Sequence, residues 1–444
     1  VYEQPNRFGQ ELRRLRSSAG LTLTRLAAEV HYSKGQLSKV ERGLKSPSPA
    51  LARLCDAALD AGGALSVLAP VRSAAARDRT AVADRNGITG DSRADDAADG
   101  VAGSEVWSMS QEPTEAGSIR AVGRRQVMTA GAASFLGLGL AYPGTHTSLP
   151  TPGNGDAALV EVSRTLFEQF RRLGQAAGPE TVLPALTAQA HALHELAARA
   201  GSRTGGTLLA LASRYAEYAG WMAQEAGDNQ AALRWTDGAV KMASATGDET
   251  LAAYALVRRA LITLYGDDAA QTVQLARQAQ DGRLPPRIRG LAAQREAQGH
   301  ALAGDYDACM HGLDRAREMF AKGSSESGAP VFGTTHVPDP AAMTTGWCLY
   351  DLGRPRKAAE VLGRELAGVP AHALRTRARY GMRQALAYAA SGEVEHACAL
   401  AAPLLSSVHH VTSATVATDV RRLARTLSRF PRNSAVQALA PLLV

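Results

Sequence analysis

The side chains best suited to binding a polyanion sit near the start of the chain. Residues 1–45 hold nine Lys or Arg against four Glu, so most of the net charge of +7 is concentrated there. Within that stretch Arg25, Lys34, Lys39, Arg42 and Lys45 are interleaved with the hydrogen-bonding residues Ser33, Gln36 and Ser38. Ammonium and guanidinium groups neutralise phosphates and release counterions. Lys can also donate to O6 and N7 of guanine, and Gln can pair with adenine. A run of charge is ordinarily a solvated helix face, so the elements that carry it must decide.

Those elements read as two short helices and a tight turn. Leu23, Leu26 and Val30 fall at i, i+3 and i+7, one stripe of an amphipathic helix for which Thr22 is the N-cap. His31 and Tyr32 interrupt the pattern. Ser33 is a second N-cap, opening a helix whose Leu37 and Val40 face inward, and Gly43 closes it with positive φ. This geometry lays the second helix into the major groove of DNA. Residues 7–18 supply a preceding helix, with Phe8, Leu12 and Leu15 inward. Pro47, Ser48 and Pro49 start another, Ala50 to Leu59, and Gly62 to Ala69 add a short last one. A five-helix domain at 1–70 is the expectation.

The order of residues resembles the phage-repressor-like (XRE) helix-turn-helix family. It matches in L-R-R-L-R-x3-G-L-T at Leu12–Thr22, L-A at Leu26–Ala27, S-x3-L-S-K-V-E-R-G at Ser33–Gly43 and P-S-x2-L-x2-L at Pro47–Leu54. The resemblance implies that Lys34, Gln36, Ser38 and Lys39 point at base edges or nearby phosphates. Arg25, Arg42 and Lys45 are then phosphate anchors, which position the helix without specifying sequence. It also implies an ion pair between Arg16 and Glu41. Two departures stand out: Leu23 replaces the phosphate-clamping Gln of the family, and His31 replaces the turn Gly, which calls for a strained backbone there.

Residues 71–120 set six Arg against nine Asp and Glu, with scarcely a large apolar side chain before Val106 and Trp107. Such a segment buries too little surface to offset its chain entropy, and 71–122 reads as a flexible, disordered linker. Residues 123–142 follow, where Arg124-Arg125 before an uncharged apolar run is similar to a twin-arginine export signal. Export signals are N-terminal, and this run is short and glycine-rich for a span of about 20 apolar residues. It reads as a helix buried on the domain that follows, with membrane contact as the alternative.

From Asp156 onward the pattern is helical throughout. Turns of related sequence recur at Gly227, Gly266, Gly304, Gly353 and Gly392, at intervals of 39, 38, 49 and 39. The long interval contains the Gly-, Ser- and Pro-rich stretch Lys322–Pro340, a loop insertion. Helix pairs repeating at a near-constant period must stack on their neighbours to bury their apolar faces. The units resemble tetratricopeptide (TPR) repeats in layout, though the period is longer and the full signature is missing. The fold expected is all-α: the N-terminal domain, the linker, and a TPR-like α-solenoid over 123–444. The whole is similar to actinobacterial XRE-type regulators with a C-terminal TPR-like domain.

On the wall formed by the first helices of such pairs, Arg214, Tyr218, Arg258, Arg259, Arg295 and Gln298 are candidates for contact with an effector, the bland alternative being salt-bridged surface. Trp221 and Trp235 read as core. Cys55, Cys309, Cys348 and Cys398 are far apart and sit in apolar helical patterns, as reduced core residues do. Neither His191 with His194 nor His409 with His410 has a matching set of metal ligands. No GxSxG, P-loop, GxGxxG or HExxH occurs. The sequence therefore points away from an enzyme with a cofactor. It points to a cytoplasmic, dimeric, operator-binding transcriptional regulator whose partners are double-stranded DNA and a small-molecule, peptide or protein effector. A protein-interaction scaffold with weak DNA binding and a membrane-associated regulator are the rival readings.

Overall fold

A computed structural model describes residues 7–69, 107–109, 119–121, 154–323 and 331–443. The chain divides into two compact units, residues 1–71 with 155–444, and residues 72–154. In the second unit, Trp107–Met109 and Ile119–Ala121 pair as an antiparallel ribbon with Trp107 opposite Ala121. These two segments fall in the stretch expected to be linker. The remainder of that stretch, and the apolar run at 123–142 expected to be a buried helix, lie outside the described residues.

The first unit is all-helical. Its opening helices are α1 (Arg7–Ser18), α2 (Leu23–Glu29), α3 (Lys34–Glu41), α4 (Pro49–Leu59) and α5 (Ala64–Leu68). Local chemistry sets their starts: Thr22 Oγ1 accepts from the Arg25 amide, Ser33 Oγ from that of Gln36, and Ser48 Oγ from that of Leu51. Phe8, Leu12, Leu26, Val30, Leu37, Val40, Leu51 and Leu65 form their common core. The expected ion pair is present, with Arg16 Nη2 2.8 Å from Glu41 Oε1, and Arg16 Nη1 donates to the Leu21 carbonyl. One guanidinium thus ties α1 to the end of α3 and to the loop before α2. His31 takes φ 52°, the left-handed conformation anticipated where the family has Gly.

From Asn154 the helices follow one another in packed hairpins. The first helix of each pair is Ser202–Glu225, Thr250–Tyr265, Pro286–Ala303, Pro340–Asp351 and Leu374–Ala390. The second is Asn229–Ser244, Ala269–Gln278, Tyr306–Gly323, Pro355–Ala367 and Val394–Val411. Asp228, Asp268 and Asp305 cap the second helices of their hairpins. At the turns Gly227, Gly304, Gly353 and Gly392 have positive φ, but Gly266 does not. There the preceding helix runs on to Tyr265, and the left-handed residue is Asp267, which pairs with Arg422.

The series closes on itself. Helix Ala414–Leu427 reaches back to Ser202–Glu225, and the contact is built on buried charge. Glu225 is wholly buried at the C-terminal end of its helix, where a negative charge is unfavourable. Arg375 and Arg379 bind its two carboxylate oxygens, and Ser413 and Thr415 donate to it as well. Arg375, 1 % exposed, also donates from Nε to the Gly174 carbonyl and from Nη2 to that of Ala177, each at 2.7 Å. It so satisfies the open end of helix Asn154–Ala176. A second buried pair, Arg383 with Asp419, joins Leu374–Ala390 to Ala414–Leu427, with the guanidinium over the Trp347 ring.

Burial opposes ionisation of Glu225, but Arg379 and Arg375 together with the Ser413 hydroxyl outweigh it and hold the carboxyl below its ordinary 4.5. A depressed folded pKa gives stability that is complete above the unfolded value and is lost as pH falls through the folded one. Glu225→Ala leaves two buried guanidiniums uncompensated and should cost ~3–5 kcal/mol in urea denaturation at neutral pH. The gap to wild type should narrow below about pH 4, where protonation weakens the wild-type network too. An equal gap at both pH values would show that the charge of Glu225 does not hold the closure.

Candidate functional site

Two places in the first unit carry groups able to bind a ligand. The first is the outer face of α3. Arg25, Ser33, Lys34, Lys39, Arg42 and Lys45 are exposed, and Gln36 and Ser38 are half-buried. Ser33 spends its hydroxyl on capping, and it stands 3.4 Å from Gln36 Oε1. Lys34 sits in the first turn of α3, where a recognition helix enters a groove most deeply. Lys39 lies five residues on, about one and a half turns along. Arg42 caps the C-terminus of α3 and its Nε donates to the Ser38 carbonyl at 3.3 Å. Leu23 is half-buried beside Gln10, Arg13 and Ser38 in a shallow groove between α1 and α3, so an apolar group stands where the family places its phosphate clamp.

The opposite side of the same five helices rests on the hairpin turns. Arg429 lies over the Tyr32 ring at 4.6 Å. Gly392 packs so closely on His31 that a methyl group there would lie 2.6 Å from the imidazole Nδ1. Desolvation by this contact, and the nearby Arg429, lower the His31 pKa below its ordinary 6.5. Gly304 faces Gly63 and Ser66, and Gly353 faces the Arg53 carbonyl of α4. The turn glycines, visible in the sequence as punctuation, are thus also the seat of the N-terminal helices. Lys34, Lys39 and Arg42 remain exposed in this arrangement.

The second place is a cavity of about 140 Å³ where the first helices of successive hairpins converge. Of the candidates on those helices, Arg214, Tyr218, Arg258 and Arg295 line it together. Arg214 with Tyr218 is spaced i, i+4, so both project from one helix face. Arg259 is not among the lining residues and pairs with Asp237. Gln298 is 1 % exposed and accepts from Arg295 behind the wall. Trp221, read as core, is half-buried and lines the cavity, whereas Trp235 packs against the cluster of Leu193, Leu208 and Tyr215.

Sequence reasoning missed several contributors to this cavity. Arg171 comes from helix Asn154–Ala176, which lies before the first repeat turn. Arg375 and Arg379 come from Leu374–Ala390. The loop insertion contributes as well: Val331, Gly333 and His336 line the cavity. Arg171 and Arg214 both donate to the Val331 carbonyl, Arg171 also to that of Gly333, and Arg287 to those of Phe332 and Thr334. Arg214 stacks over the Phe332 ring at 3.6 Å. Residues 331–334 of the insertion are therefore held by three arginines, which its composition of Gly, Ser and Pro could not signal.

Among the described residues no group of three or more His, Cys, Asp or Glu is placed to hold a metal ion, and no helix is long and apolar enough to cross a membrane. The four cysteines are buried and unpaired. A family model for a helix-turn-helix domain matches residues 7–68, the stretch from α1 through α5. Searches of curated proteins and of solved structures return no match. Residues 7–68 are accordingly a helix-turn-helix domain, and a domain of this class points to a DNA-binding regulatory protein.

Proposed function

We propose that the protein is a sequence-specific transcriptional regulator of the XRE type, in which α3 reads an operator and a TPR-like repeat domain senses an effector. The observation that carries the reading is that Lys34, Lys39 and Arg42 are exposed along a capped second helix and its C-cap, within a stretch that matches a helix-turn-helix model. One helix reads few base pairs, so the functional species is a homodimer on two half-sites about one helical turn apart. Lys34, Gln36, Ser38 and Lys39 make base-edge or groove contacts, and Arg25, Arg42 and Lys45 anchor phosphates. The residues lining the cavity, Arg214, Tyr218, Arg258 and Arg295, receive the effector. The seating of α4 and of the turn before α3 on the hairpin turns supports coupling between the two, since an effector that shifts the hairpins also shifts the seat.

DNA fragments selected from the source genome by the full-length protein, then titrated at two salt concentrations, test the reading. Lys34→Ala and Lys39→Ala should reduce the preference for operator over random DNA, a base contact being worth ~1–3 kcal/mol of discrimination. Arg42→Ala should weaken both DNAs alike and lower the salt slope by about one. Unchanged specificity in both Lys variants removes α3 as the reading element, and equal affinity for selected and random DNA removes the regulator.

The coupling has its own test. Gly353→Ala would set a methyl group 2.2 Å from the Arg53 carbonyl oxygen, at a residue with φ 74°. Gly227→Ala has φ 90° but meets only the Ala414 side chain at 3.4 Å, so it carries comparable backbone strain without the clash. Amide hydrogen exchange of α4 and α5 should accelerate several-fold in Gly353→Ala and stay at the wild-type rate in Gly227→Ala. Equal rates in the two variants would show that the turn does not hold α4.

A further inference from the structure

Six guanidinium groups line the cavity, those of Arg171, Arg214, Arg258, Arg295, Arg375 and Arg379, and the carboxylates buried among them are Glu217 and Glu225. Glu217 pairs with Arg258, and Glu225 is shared by Arg375 and Arg379. Arg171 has an exposed partner, Glu168, at 3.6 Å. Arg214 and Arg295 have no carboxylate within ion-pair distance among the described residues. Arg214 is held by the Val331 carbonyl and the Phe332 ring, and Arg295 by the side-chain oxygen of Gln298. Buried N–H groups without an acceptor remain on four of these six, Arg214 Nη1, Arg258 Nε, Arg295 Nε and Arg379 Nε, as they do on six arginines elsewhere in the described residues.

A buried donor without a partner costs about 1–3 kcal/mol, more when it is charged, and Arg stays protonated in proteins. Burial accordingly pushes the pKa of both Arg214 and Arg295 below the ordinary value, the nearby acids and tyrosines offsetting part of it. A fold that needed these side chains only for packing would gain by replacing them with apolar ones of similar volume. Guanidinium forks that converge on a cavity match a carboxylate or phosphate group, two N–H donors to two oxygens. Tyr218, Trp221, Tyr254 and Tyr380 supply aromatic surface beside them. A water-sized group takes roughly 10–15 Å³ of such space, so a cavity of about 140 Å³ suits a compact molecule and not a folded segment.

We infer that the cavity binds a small organic oxyanion, its carboxylate or phosphate held by Arg214 and Arg295 and its apolar or aromatic body lodged against Tyr218 and Trp221. The inference deepens the reading of the repeat domain as the effector-sensing part, and rests on it for the word effector. Binding joins Arg214, which pins the insertion through the Val331 carbonyl, to the helices that carry the hairpin turns. Occupancy of the cavity is thereby linked to the seat of α3 and α4.

The test uses the full chain and three probes of one shape: phenyl phosphate, benzoate and the neutral benzamide. Phenyl phosphate or benzoate at saturation should raise the melting temperature by about 2–5 °C, as expected for a ligand that binds only the folded state. Benzamide should not. A shift with phenyl phosphate alone assigns the head group as phosphate, and one with benzoate alone as carboxylate. Arg295→Gln should abolish the shift while leaving the unliganded melting temperature unchanged or higher, because an uncompensated buried charge has gone. A purely structural arginine would lower it. Should that variant fail to fold, calorimetric titration of the wild-type protein with both anions decides alone. No heat and no shift with either anion overturns the inference, as does a shift that survives in Arg295→Gln. Operator binding measured on the same samples keeps the two readings apart. DNA binding without anion binding sinks only the cavity, and anion binding without DNA binding sinks only the regulator.

Discussion

The arrangement of the repeat helices depends on one buried guanidinium. Arg375 donates to Glu225 and to the carbonyls of Gly174 and Ala177, so it joins three segments that are remote in sequence. Each of its partners would be poorly placed without it. Two are carbonyls at the open end of a helix, and the third is a carboxylate at the negative end of another. A lysine could not substitute, because one ammonium lacks the planar fork that reaches these three acceptors in different directions. Arg375 thereby holds the start of Leu374–Ala390 to the ends of Asn154–Ala176 and Ser202–Glu225, beside the cavity that it lines.

The same closure explains why the turns have a second role. Hairpins held in a fixed stack present their turns in a row, and the five N-terminal helices sit on three of them. Lys34, Lys39 and Arg42 remain exposed. The contact with the row is made by α4, α5 and the turn before α3, through backbone approach at Gly353 and through a cation over the Tyr32 ring. Backbone-to-backbone contact of this kind tolerates little adjustment, since neither partner has rotamers to change. A small movement of a hairpin must therefore be followed by the helices seated on it, or the contact must break.

How much of this could be read from the sequence follows the range of each interaction. Thr22 and Ser33 were legible as caps because a cap is settled within three residues. The Arg16–Glu41 pair was legible because the family pattern fixes the two helices that carry it. The repeat turns were legible as punctuation, with one slip: at Gly266 the left-handed position is taken by Asp267, which also pairs with Arg422. Arg375 was not legible at all. Its partners lie 201 and 150 residues away, and nothing local distinguishes it from the solvated arginines around it. For the same reason Arg259, one residue from Arg258, could not be sorted from it: the side chains diverge by about 100° around the helix, one into the cavity and one to Asp237.

The arginines differ in how the fold answers their charge. An arginine on a solvated face is cheap, and the abundance of Arg over Lys in this chain makes such residues common. An arginine drawn into a closed wall is costly unless it is paired, and Arg375, Arg379 and Arg383 are each paired with a buried acid. Arg214 and Arg295 are half-buried and lack the acid. The paired three all stand on Leu374–Ala390, whereas Arg214 stands on Ser202–Glu225 and Arg295 on Pro286–Ala303. Arg214 and Arg295 both line the cavity, held there by a carbonyl, a ring and an amide oxygen and not by a carboxylate.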